Sequence, residues 1–116
     1  MEAALFHDFD NVTSYYGNIP SRPMQSDEHV ELYRMRESDR DPVDEDFTDP
    51  VNRLCGTTLG YGDVDFFDPR QCKLLTAWLE TRLTQPITPR LAEIYHHLLD
   101  YARRATQYNT GIVIEL

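Results

Sequence analysis

A pair of proline-led helix starts, Asp68-Pro69 and Thr88-Pro89, constrains this 116-residue chain more than any other feature. An aspartate at the N-cap accepts from the free N–H groups of a first helical turn. Proline at the first helical position forfeits nothing, because its N–H would be unpaired there. Gln71 completes a capping box with Asp68, and Phe67 just outside is placed to clamp on Cys72 as a hydrophobic staple. Cys72, Leu75, Trp78, Leu79 and Leu83 then share one face, while Arg70, Lys73, Thr76, Glu80 and Thr81 fall largely on the other. That is the 3.6-residue period of an amphipathic helix, ended by Gln85-Pro86. In the second helix Thr88 caps, and Leu91, Ile94, Tyr95, Leu98, Ala102 and Ala105 form the apolar stripe. Arg103 and Arg104 oppose the negative end of the helix dipole, and Asn109 or Gly111 supplies the left-handed stop. With only about five residues between them, the two helices should pack as an antiparallel hairpin.

Ile112-Val113-Ile114-Glu115-Leu116 follows at once. Three consecutive β-branched residues predict a strand held inside a sheet rather than a frayed tail. Residues 29–36 alternate like a strand and are suited to a sheet edge. Asp63 to Phe67 alternates too, with Val64 and Phe66 inward and two aspartates outward. Residues 3–17 fit either a strand over 3–9 or a short helix stopped at Gly17. Segments 18–27 and 37–58, rich in Pro, Asp and Ser, read as loops. The expected fold is α+β: a small sheet covered on one face by an antiparallel helical hairpin over about 69–84 and 89–108, with the strand 112–116 inside the sheet. The whole chain, 1–116, is expected to be one domain. Its acidic N-terminal part, 1–68, carries the loop 37–58, and the hairpin with its terminal strand occupies 69–116.

Charge is unevenly spread. Residues 1–68 hold 16 acids against 5 arginines, net −11, whereas 69–116 hold 4 acids against 6 bases, net +2, giving −9 for the chain. Such a surface repels a phosphate backbone, which argues against nucleic-acid binding and for electrostatic steering toward a basic protein. No apolar run approaches the ~20 residues that span a bilayer. Met1-Glu2-Ala3-Ala4-Leu5-Phe6-His7-Asp8 has no basic leader, so a cytoplasmic location is expected, with Cys55 and Cys72 reduced.

Within 37–49, seven carboxylates surround one arginine. Such a run repels itself and stays extended unless a partner orders it. The spacing of a calcium-binding EF-hand loop, with its central Gly and terminal Glu, is absent. Tyrosine beside acid suits recognition of a cationic surface, since the ring supplies contact area and the carboxylate supplies steering. Asp39, Asp41, Asp44, Glu45 and Asp46, with Tyr33 and Tyr61, are therefore the candidate partner-binding residues. The favoured reading is a small acidic protein-binding module without catalytic residues, metal or cofactor. By composition it is analogous to an immunity-type inhibitor or an acidic chaperone engaging a basic partner. A homodimer through the 29–36 edge is a further expectation.

The alternative is a small enzyme or ligand-binding domain with a site between hairpin and sheet, lined by Asp63, Asp65, His96 and Asp100. Asp63 and Asp65 share one strand face, and His96 and Asp100 stand four apart on a helix, a spacing that can share a metal. Gly56-Thr57-Thr58-Leu59-Gly60-Tyr61-Gly62 lacks the Gly-Lys-Ser/Thr ending of a phosphate loop. None of the four serines sits in a nucleophile elbow.

Overall fold

The β-branched run at the C-terminus forms an interior strand. In the computed structural model, which describes all of residues 1–116, the chain runs through β1 (Glu2–Phe6), the two-residue strands β2 (Tyr15–Tyr16) and β3 (Ile19–Pro20), and β4 (Val30–Arg34). A helical run follows: a 3-10 turn Glu37–Asp39, α1 (Arg40–Val43), a π turn Asp44–Thr48 and α2 (Asp49–Cys55). Then come β5 (Val64–Phe67), α3 (Pro69–Arg82), α4 (Pro89–Tyr108) and β6 (Gly111–Glu115). Four strands make one antiparallel sheet in the order β4-β1-β6-β5. Of residues 3–17 the strand alternative holds in part: Glu2–Phe6 sits between β4 and β6, residues 7–14 are turn and irregular chain, and Tyr15–Tyr16 pairs with Ile19–Pro20, a strand within the segment read as loop.

Alternation along β1 and β6 sends residues to both faces. Ala3, Leu5, Ile112 and Ile114 join Phe67 beneath the helices in a core of 23 buried residues. Ala4, Phe6, Val30 and Val113 face the other way, under Phe9, Val12 and Ile19. Val64 and Phe66 point inward as their alternation predicts, but onto this second face, away from the hairpin.

The hairpin forms as its caps require. The Gln71 N–H donates to Asp68 Oδ1 at 2.8 Å, the Asp68 N–H donates to Gln71 Oε1 at 2.9 Å, and Thr88 Oγ1 accepts from the Leu91 N–H. Asn109, at φ 55°, is the left-handed residue that ends α4. Gly111 serves a different purpose: a Cβ there would collide with the Phe67 carbonyl and the Phe66 ring, so glycine lets β5 pack tightly against β6. Leu116 is buried, and its N–H and carbonyl bond to the Asp63 carbonyl and the Gly62 N–H.

The loop expected over 37–58 is corrected. Residues 37–55 are helical, and every fourth residue from Asp39 (Val43, Phe47, Val51, Cys55) is buried. A spacing of four drifts about 40° per step on a regular α-helix. The wider π turn unwinds much of that drift, so one row stays on one face. The turn lies just ahead of Pro50, which has no N–H to offer the Asp46 carbonyl. No helix is long and apolar enough to cross a membrane.

Candidate functional site

The helical run 37–55 divides its carboxylates between two jobs. Asp39 is buried and pairs with Arg90 at the start of α4, with contacts of 3.0 and 2.7 Å, and Arg90 holds its carboxyl below the usual carboxylate range. Asp46 accepts from Arg82 Nε at 3.0 Å and from the hydroxyl of buried Tyr95 at 2.6 Å. Burial is the main cause pushing the Tyr95 hydroxyl pKa up. Between these anchors Phe47 packs against Trp78 and Tyr95, at centroid distances of 5.6 and 5.9 Å. These two candidate partner-binding residues therefore fasten the helix to the hairpin.

The outward row is different. Glu37, Asp41, Glu45 and Asp49 are exposed at intervals of four, and unlike Asp39 and Asp46 none forms an ion pair. Asp41 accepts from the Tyr61 hydroxyl, and the Arg40 guanidinium lies 5.1 Å from the Tyr61 ring centroid. Asp44 is half-buried and accepts from Thr48 Oγ1 within the helix. Tyr33 stands apart, stacked on His97 at 4.0 Å, with its hydroxyl buried and unpaired. Of the seven residues singled out, Asp41, Asp44, Glu45 and Tyr61 cluster on or against this helix, and Tyr33 does not join them.

Asp63, Asp65, His96 and Asp100 are not brought together. Asp65 lies in edge strand β5, where it accepts from the Thr58 N–H at 2.9 Å, and Asp63 adjoins it in the preceding turn. His96 and Asp100 sit on α4 near the opposite edge, β4, to which α4 is tied by the His97–Tyr33 stack and by Arg104 on Glu31. Asp100 is paired with Arg104 at 3.0 Å. The outward side of β4, read as a dimer seam, is already bonded: the Val30 N–H donates to Asp27 Oδ1 and the Leu32 N–H to Ser26 Oγ. Both cysteines are free and buried, and burial pushes Cys55 up to about 11 and Cys72 up to about 12, so neither is a ready nucleophile.

A second constellation has no counterpart among the candidate residues. Because β1 and β4 are antiparallel with Phe6 opposite Val30, the chain leaving one meets the chain entering the other. His29 Nδ1 lies 2.7 Å from Asp8 Oδ1, and Glu28 Oε1 is 3.4 Å from His29 Nε2. The Asp10 N–H, followed by His29, holds Asp8 below its ordinary pKa, and Asp8 in turn raises that of His29. A cleft of about 220 Å³ opens beside them, lined among others by Asn11, Thr13, Ser21 and Asp27. Next to it Glu31 accepts from Arg104 at 2.6 and 3.0 Å and from His7, and Arg104 foremost lowers the Glu31 pKa to about 2. The sequence signal was Asp8-x-Asp10 directly after a strand. Its meaning depends on His29, 21 positions from Asp8, being delivered by the β1–β4 pairing.

Comparison with family models, curated proteins and solved structures yields no match.

Proposed function

We propose that this chain is a protein-binding module whose acidic helix docks a basic partner protein. The observation that carries the reading is the row Glu37, Asp41, Glu45 and Asp49: four solvent-facing carboxylates without a cationic partner, on a helix braced from behind. A charge row on a fixed helix steers encounter, and little side-chain or backbone freedom is lost when it is met. Asp44 flanks the row, and Tyr61, exposed beside Asp41, adds contact area of the kind enriched in protein interfaces. Asp39 and Asp46 support the surface without belonging to it. An immunity-type inhibitor or an acidic chaperone is the class this arrangement suits. Direct nucleic-acid binding is disfavoured by the same charge.

The test compares the native chain with a variant carrying Glu37→Gln, Asp41→Asn, Glu45→Gln and Asp49→Asn, both used as bait in extracts of the source cells. A basic protein held by the native chain at low salt, released at high salt and not held by the variant supports the reading. A partner held equally by both proteins, or no partner at either salt, refutes it.

A further inference from the structure

The cleft at the β1–β4 end of the sheet has the chemistry of a cation site. Donor atoms of Asp8, Asp10 and His29 all lie within 4.8 Å of one another. Two donors held about 2.1 Å from one ion at right angles are about 3 Å apart. Asp8 Oδ1 and His29 Nδ1, hydrogen-bonded to each other at 2.7 Å, need to part by only a fraction of an ångström to occupy neighbouring positions around an ion.

Asp8 and His29 are positioned independently of any ion. The Asp10 N–H donates to Asp8 Oδ1 at 3.0 Å, and the His29 N–H donates to Asp27 Oδ1 at 2.7 Å. Glu28 faces His29 Nε2, the ring nitrogen that would stay protonated if Nδ1 bound an ion. At 3.4 Å and with its side chain 86% exposed, Glu28 gives this nitrogen a loose electrostatic partner rather than a fixed hydrogen bond. Two carboxylate oxygens and one imidazole nitrogen are too few and too mixed for calcium, which takes six to eight oxygens, and they contain no soft thiolate.

We propose that Asp8, Asp10 and His29 bind a divalent first-row cation, Zn²⁺ or Mn²⁺, whose remaining coordination positions open onto the cleft. The cleft is also lined by Arg22, a cation on the wall beside the three ligands.

The test titrates the intact chain with ZnCl₂ by calorimetry and with MnCl₂ by paramagnetic broadening of amide NMR signals. The expected result is one site, with broadening centred on Asp8, Asp10 and His29. Asp10 is exposed and only its backbone is hydrogen-bonded, so Asp10→Asn should leave the melting temperature unchanged while weakening binding at least about tenfold. His96→Gln should leave binding intact. No binding of either ion at millimolar concentration overturns the site. So does broadening centred on His96, His97 and Asp100, or native affinity in Asp10→Asn.

Discussion

The two faces of the sheet are built differently. Beneath α3 and α4 lies a core of 23 buried residues, joined by the helical run 37–55 through Phe47, Asp39 and Asp46. On the opposite face only Ala4, Phe6, Val30 and Val113 are fully covered, by an irregular segment contributing Phe9, Val12 and Ile19. Hydrophobic stabilisation scales with apolar area removed from water, so the helical face carries most of the fold's free energy. The thin face is spanned by backbone free to take turns, and turns are where the histidine–aspartate cleft forms. One face specifies the structure and the other leaves room for chemistry.

The sharpest way to break this contrast uses two neighbours on β6. Ile114 points into the helical core and Val113 to the thin face, and both are completely buried. Ile114→Ala should destabilise by about 3–5 kcal/mol, as is usual for an aliphatic side chain in a rigid core. Val113→Ala should cost about 1–2 kcal/mol, because irregular chain relaxes into the space more readily than packed helices do. Urea unfolding of the two variants measures both. If Val113→Ala costs as much per deleted carbon as Ile114→Ala, the thin face is as rigid as the thick one and the contrast fails.

The same division explains what was legible in the sequence. The α3–α4 hairpin and β6 could be read because their signals are local: a cap, a proline, a 3.6-residue period and a β-branched run. The helix over 37–55 was concealed by its own carboxylates. Seven acids and two prolines look like solvated loop, and the apolar row Val43, Phe47, Val51, Cys55 has a period of four that a regular α-helix does not keep on one face. Two of those acids are tolerable because Arg82 and Arg90, 36 and 51 positions away, neutralise them, and no local pattern announces such partners. The cleft was hidden for the same reason, since Asp8 and His29 meet only through a strand pairing that composition does not encode. Asp41, Asp44, Glu45 and Tyr61 could be singled out by type, but their separation from Asp39 and Asp46 depends on which side of a helix each occupies.

A smaller effect tests whether the acidic helix belongs to the thick side. Asp46→Ala would leave the Tyr95 hydroxyl buried without its acceptor and strip Arg82 of its carboxylate. A loss of about 2–3 kcal/mol is expected, against about 1 kcal/mol for Tyr95→Phe, which removes the hydroxyl together with its need for a partner. Thermal denaturation of both variants checks the order. Equal losses would mean that the Arg82 contact to Asp46 adds nothing, leaving the helix held by Phe47 and the Asp39–Arg90 pair.

The smallest expected effect lies at the border of the two faces, where Glu31 joins α4 through Arg104 to the chain leaving β1 through His7. Its pKa, lowered from 4.5 to about 2, belongs to the folded state, so the unfolded chain binds this proton more readily. The resulting stabilisation is fully present above pH 4.5 and is lost as pH falls through about 2. The group is nearly a third exposed, and solvent screening reduces the contribution to roughly 1–2 kcal/mol. Glu31→Gln should therefore be less stable than the native chain at neutral pH and converge with it in acid, as pH-dependent urea unfolding would reveal. Curves separated by a constant gap down to pH 2 would show that Glu31 acts through packing, and that charge plays no part in fastening the thin face to the thick one.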